Sequence, residues 1–384
     1  MPPNAHPEVN SAAPMLGAAG DADSSMPVAT QAELEHISGA RGCSESRLTD
    51  PHSYDGSHPQ LVESCAPYPF RSGPNFREYH AQKDAAWSPD GKCILQLGED
   101  KCLRAHAAFQ SPSHLIGIHE APEAIGAFAA SPYFNCDEPE SMLVLASVKE
   151  EPIRLFNVNN PGAQLHASYH LMYDTDDVMH VSVDCIKFLP DTVHFLAAGN
   201  NCLALFDITR YHSKPVVQLH THNKYRKKSR LDPLALGGRI STIDYRDDGL
   251  LAVGSWASKI GFYEDYGKGE VLAVDSMSDF ADGIQTVRWS PDGSYLYVAG
   301  PTTDFITILD VRMAGRKVSF LTGRNAWSKQ RHGFDLVFDD NGHHVIAGGS
   351  DGAVRVWHNP TTRSEGNTGP SVEWQAHDGI VSTF

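Results

Sequence analysis

The chain has 384 residues, 41% of them hydrophobic, and a formal net charge of −16. It is long enough to bury a large core, and so acidic a chain does not coat nucleic acid by bulk electrostatics; any nucleic-acid site has to be a local patch. No run of about 18 apolar residues occurs, and residues 1–20 lack the basic start and apolar core of a secretory leader, so a soluble nuclear or cytosolic protein is expected.

Residues 1–75 are rich in Pro, Ser, Ala, Gly and His, with nine acidic residues against three basic ones, Arg41, Arg47 and Arg71. They carry no sustained apolar period. Such a segment buries too little apolar surface to offset its ordering entropy, which predicts a mostly disordered acidic tail ending in a docked stretch around Tyr68, Pro69 and Phe70. The seven cysteines (Cys43, Cys65, Cys93, Cys102, Cys136, Cys185 and Cys202) include no CxxC pair and all lie in the first 202 residues. An odd, uneven set reads as reduced intracellular thiols.

From residue 76 to 384 the sequence repeats. The phrase Trp87-Ser88-Pro89-Asp90-Gly91 returns as Trp289-Ser290-Pro291-Asp292-Gly293, and around both copies an apolar stretch, a tight turn, a β-rich run and a closing apolar-aromatic strand recur. The closing strands centre on Phe156, Phe206, Phe262, Leu309 and Trp357, spaced 50, 56, 47 and 48 residues apart, close to the roughly 40–50 residues of a propeller blade. One sheet of this length cannot bury both its apolar faces alone, whereas radial stacking covers them and leaves only short edges. The prediction is an all-β propeller in one domain, with six recognisable blades at about 76–109, 125–158, 181–208, 240–263, 284–312 and 334–358. Asp90-Gly91, Asp292-Gly293, Asp340-Asn341-Gly342 and Asp351-Gly352 are the hairpin signals.

After the sixth blade, Trp374-Gln375-Ala376-His377-Asp378-Gly379-Ile380-Val381 reads as the opening of a seventh. Either residues near Phe70 supply strands to that last sheet, or the chain is a piece of a longer protein; the break in mid-strand favours the second.

Signs of chemistry are weak. Gly348-Gly349-Ser350-Asp351-Gly352 matches the G-x-S-x-G pattern of serine hydrolases, but a nucleophile elbow needs a strand, a sharp turn and a helix, and here both flanks are β-rich, so Ser350 belongs to a hairpin. The 20 histidines include His220-Thr221-His222 and His343-His344, neither joined by Cys or carboxylate at zinc-like spacing. No phosphate-binding glycine loop appears. No catalytic residue, metal or cofactor is expected. His377-Asp378 and the blade-closing aromatics read as scaffold.

One segment stands out. Lys224, Tyr225, Arg226, Lys227, Lys228 and Arg230, with Ser229 among them, form the densest basic run of an acidic chain and lie in the connection between the third and fourth blades. Such cations neutralise phosphates, a tyrosine stacks on an unpaired base, and loops on a rigid scaffold are where binding residues sit. A nuclear-import signal or a solvated loop would have the same composition. Trp256, in Gly254-Ser255-Trp256, stands at a turn between inner strands; Trp327 precedes Lys329-Gln330-Arg331-His332. Trp and Arg at a propeller rim are recognition anchors, and core packing is the competing role.

The order of motifs resembles the telomerase Cajal-body protein family of WD40 proteins and its fungal relatives. Ala86-Trp87-Ser88-Pro89-Asp90-Gly91-Lys92-Cys93-Ile94-Leu95 is similar to its first blade, Glu151-Pro152-Ile153-Arg154-Leu155-Phe156 to its second-blade ending, and Gly254-Ser255-Trp256 to its fourth-blade Gly-Ser-Tyr. Gln330-Arg331-His332-Gly333-Phe334-Asp335-Leu336, followed by Gly349-Ser350-Asp351-Gly352-Ala353-Val354, is close to its sixth. The resemblance runs from about 73 to 384. It implies a nuclear, non-enzymatic WD40 propeller that binds small nuclear or guide-type RNA and ribonucleoprotein partners. Particle assembly or localisation, pre-mRNA splicing or telomerase particle trafficking would be its setting, with no membrane and no small-molecule substrate. The site residues expected are Lys224, Tyr225, Arg226, Lys227, Lys228, Arg230, Trp256 and Arg331. The alternative is a generic peptide-binding adaptor of a multiprotein complex without RNA contact.

Overall fold

The computed structural model describes residues 69–71, 77–79, 82–109, 114–160, 165–173, 179–222, 233–313, 315–339, 342–361 and 366–381. The expected disordered tail therefore lies almost wholly outside the described residues. Two short strands, β1 (Pro69–Arg71) and β2 (Arg77–Tyr79), pair antiparallel just before the first large sheet. Among the described residues there is no α-helix.

Six antiparallel sheets follow in chain order. The first holds β3 (Gln82–Trp87), β4 (Cys93–Gly98), β5 (Cys102–Ala107) and β6 (His114–Glu120), and the second β7 (Ile125–Ala130), β8 (Leu143–Val148), β9 (Ile153–Asn157) and β10 (Leu165–Tyr169). The third holds β11 (Val183–Phe188), β12 (His194–Gly199), β13 (Cys202–Asp207) and β14 (Val217–His220), and the fourth β15 (Ile240–Tyr245), β16 (Leu251–Ser255), β17 (Lys259–Tyr263) and β18 (Val271–Ser276). The fifth is β19 (Thr286–Trp289), β20 (Tyr295–Ala299), β21 (Thr303–Asp310) and β22 (Arg316–Ala326). The sixth is β23 (Phe334–Asp339), β24 (Gly342–Gly348), β25 (Ala353–His358) and β27 (Val372–Gln375). Between its last two strands the sixth sheet sends out β26 (Gly366–Thr368), which pairs parallel with β22 and stitches it to the fifth. The first strands pack in sequence, β7 beside β11, then β15, β19 and β23. This is the predicted propeller.

The repeated phrase builds the same turn twice. Cys93 N–H donates to Ser88 Oγ at 2.9 Å and Lys92 N–H to Asp90 Oδ1 at 3.2 Å; Tyr295 N–H donates to Ser290 Oγ at 2.9 Å and Ser294 N–H to Asp292 Oδ1 at 3.2 Å. Gly91 and Gly293 sit at φ +68° and +65°, the left-handed region that a Cβ penalises. The core lies between sheets, as the stacking argument requires: Leu95, Leu97, Val144 and Phe156 join the first two blades, and Tyr297, Ile308, Val345 and Trp357 the last two.

Two expectations are corrected here. Trp374 and Gln375 belong to β27, the outer strand of the sixth blade, and only the residues after them continue toward a further sheet. Val381 N–H bonds Gly349 O at 3.1 Å as Ile284 N–H, entering the fifth blade, bonds Ser255 O at 3.0 Å. The thiols are also not all separate. Cys93 at the start of β4 and Cys136 in the loop after β7 are joined as a disulfide, with Cα atoms 6.6 Å apart. Sequence spacing hid the pair because that loop is docked on the first blade by Cys136 N–H donating to Asp90 Oδ2 at 2.7 Å.

Candidate recognition face

In an antiparallel sheet the turn after the second strand and the connector leaving the fourth lie at the same end. Every blade-to-blade connector therefore shares a face of the wheel with the β4–β5, β16–β17 and β20–β21 turns. On that face a cavity of about 610 Å³ opens at the central channel, lined among others by Lys83, Arg239, Trp256, Lys329 and Arg331, with Asp84, Glu99 and Asp184. A neighbouring cavity of about 740 Å³ shares Lys83, Asp184 and Arg239 and adds Tyr173 and Met179.

Arg331 reaches into the channel from the β22–β23 connector. Its Nη1 donates to Asp84 Oδ2 at 3.2 Å on the first blade, and its Nη2 to Ser241 O at 3.1 Å and Asp184 O at 3.4 Å on the fourth and third. One guanidinium thus ties together the sixth, first, third and fourth blades, which its planar fork of donors suits. Arg239 is held by a two-pronged ion pair to the carboxylate of Asp184, and this raises its pKa. Lys83 donates to Ile125 O at 2.6 Å; burial first, then the charge of Arg331, lowers its pKa.

Trp256 is 37% exposed, its backbone N–H donates to Arg239 O at 2.9 Å, and both residues line the cavity. Gly283 must be glycine for this approach: at φ +97° a Cβ would come within 2.7 Å of Trp256 Cα.

Of the expected site residues, the structure brings Trp256 and Arg331 to one cavity. Lys224, Tyr225, Arg226, Lys227, Lys228 and Arg230 lie outside the described residues. The stem of their connector is defined, with Gly237 N–H donating to Thr221 O at 3.1 Å and Asn201 N–H to Gly238 O at 2.9 Å, one residue from Arg239. Sequence reasoning missed Lys83 and Arg239. Single cations scattered from position 83 to 331 leave no local signal, and only the folded propeller gathers them.

The groups weighed for chemistry take structural places. Ser350 sits in the β24–β25 hairpin, and its hydroxyl donates to Asn325 O at 2.6 Å. His343 meets the hydroxyl of Tyr297 at 2.6 Å, while His344 meets Asp339 at 2.9 Å on the other face of the strand. Among the described residues no group of three or more His, Cys, Asp or Glu is placed to hold a metal, and no helix is long and apolar enough to cross a membrane.

Residues 331–358 match the family model of the WD domain, G-beta repeat. The chain is 29% identical over 287 residues to guanine nucleotide-binding protein negative regulator 1 of Schizosaccharomyces pombe, covering 71% of this chain and 69% of that protein. It is 25% identical over 307 residues to human telomerase Cajal body protein 1, covering 76% and 52%, and 22% identical over 285 residues to protein SWT21 of Kluyveromyces lactis, covering 71% and 67%. The chain thus spans about half the length of the telomerase Cajal body protein. With six such sheets around one channel, it is a WD40-type propeller whose sequence is similar to telomerase Cajal body protein 1 and to these two fungal proteins.

Proposed function

We propose that this propeller is a non-enzymatic nuclear scaffold that binds a small nuclear or guide-type RNA together with ribonucleoprotein partners. One observation carries the reading: exposed Trp256 shares a cavity with Lys83, Arg239, Lys329 and Arg331, on the face from which the connector holding residues 224–230 departs. Four cations against the carboxylates of Asp84, Glu99 and Asp184 leave this mouth at +1 in a chain of −16. Unpaired RNA is recognised by that pairing of cations with a stacking ring. The relative named for telomerase and Cajal bodies supports the same class of partner and a nuclear location.

The test is RNA binding across a salt series by the full chain and by a variant with Lys224, Arg226, Lys227 and Lys228 changed to Ala. Each lost phosphate contact lowers the slope of log K against log salt by roughly 0.7 for a single strand. A fall of about 2 to 3 supports the reading, and an unchanged slope removes the 224–230 segment from the site.

The second reading, a peptide-binding adaptor, draws on the carboxylates of the same mouth and on Met179 and Ile380, both exposed there. It expects partner capture that survives ribonuclease and the four alanines.

A further inference from the structure

Trp327 is 67% exposed, a large apolar ring left in water. Ser328 N–H donates to Ala326 O at 2.9 Å, which makes Trp327 the apex of a tight turn. Before the turn, Asn325 adopts a left-handed conformation at φ +53°, with its N–H on Asp304 Oδ1 at 2.7 Å, its side-chain amide on Asp351 Oδ2 at 2.8 Å and its carbonyl accepting from Ser350. After it, Gln330 N–H donates to Ser328 Oγ at 3.0 Å and Thr302 N–H to Ser328 O at 3.3 Å. A backbone tied on both sides of the turn, with Asn325 in the left-handed region, presents the indole outward.

The same rim leads to Trp256. Thr302, bonded to Ser328, also donates its hydroxyl to Asp282, and Gly283 packs against the Trp256 backbone. Ser328, Lys329, Trp256 and Arg239 line one cavity. Along the rim an exposed ring and cations are followed by another exposed ring.

We infer that Trp327 and Trp256 are two stacking posts for the unpaired bases of a single-stranded RNA segment, with Lys329 and Arg239 between them on its phosphates. The inference rests on the proposed function, which already reads the ligand as unpaired RNA, and adds to it a second stacking residue, Trp327, that the basic run does not signal. Rings stack on the open faces of bases, which a duplex hides, and cations track the backbone between them. A peptide would use the rings without regard to strandedness.

The experiment selects tight binders from a pool of twenty-nucleotide RNAs of randomised sequence with the full chain. It then measures each selected strand by fluorescence anisotropy, alone and annealed to its complement. The single strand is expected to bind at least tenfold tighter than the duplex. W327A is expected to weaken it about 5- to 100-fold, the range for loss of one stacked base, with W327F recovering most of that. The salt slope is expected to stay constant in W327A and to fall in K329A. Circular dichroism should show W327A folded, since the ring buries little. If the wild type binds but W327A and W256A match it, or if the duplex binds as well as the strand, the stacking posts are wrong and the scaffold reading stands. If the pool yields no binder while a ribonuclease-resistant protein partner is captured, both fall together.

Discussion

Arg331 and Asp84, 247 residues apart in sequence, meet at 3.2 Å across the central channel, so the connector entering the sixth blade is bonded to the inner strand of the first. Arg331 also serves carbonyls of the third and fourth blades, and an isolated pair of surface charges would contribute less. R331A should lower unfolding free energy by about 1–3 kcal/mol, because Asp84 and two carbonyls lose a donor at once. R331K should recover less than half of that, since an ammonium cannot span the three acceptors. Urea denaturation of both variants decides it; equal stability of wild type and R331A would reduce Arg331 to a binding residue alone.

Trp87 and Trp289 occupy the same place in the same five-residue phrase, yet Trp87 is 49% exposed and Trp289 only 6%. The neighbouring sheet makes the difference. Trp289 packs on Phe262 and under Arg246, and its indole N–H reaches Asp244 O at 3.4 Å, all from the fourth blade. Among the described residues the ring contact of Trp87 is the stacked ring of Phe109, from its own blade. W289A should cost about 3–5 kcal/mol and W87A about 1 kcal/mol, read from paired thermal melts. Similar losses would mean that both tryptophans are covered alike in solution.

His332 is buried between the fifth and sixth blades, where burial first and the charge of Arg324 second lower its pKa from 6.5. The folded ring therefore stays neutral where the unfolded chain takes up a proton. Its contribution is fully present above about pH 6.5 and is lost as pH falls below that value toward the folded pKa. His119, His180 and His343 shift in the same direction, each chiefly through burial. Asp351 is held far below the usual carboxylate range by hydrogen bonds from Arg355 and does not add to this limb. Melting temperature should be level from pH 7 to 8 and fall from pH 6.5 to 5, with a shallower fall in H332Q. A level profile down to pH 5 would contradict the assignment.

The Cys93–Cys136 disulfide closes a sequence separation of 43 residues between the first and second blades. Loop-closure entropy gives such a link about 4 kcal/mol, or a shift of roughly 5–10 °C in melting temperature for a chain this size. Reductant should lower the melting temperature of the wild type by that amount and leave C93S unaffected. Equal sensitivity of both would exclude the link as a stabiliser.

The sequence by itself determined the architecture. The Ser88 and Ser290 phrases, with glycines that alone fit φ near +65°, fix the hairpins locally, and the spacing of Phe156, Phe206, Phe262, Leu309 and Trp357 fixes the repeat. Those signals are short-range and periodic, so they can be read from one chain. It also singled out Trp256 and Arg331. What it did not carry were the outer strands such as β27, whose half-exposed residues give a weak alternation, and the reach of Arg331 across the channel. The gathering of Lys83, Arg239, Lys329 and Trp256 at one cavity was likewise decided only by the arrangement of the sheets around the channel, because each of those cations comes from a different connector or strand. Covering apolar faces in a ring sets which residues meet at its axis, and no local pattern records that meeting.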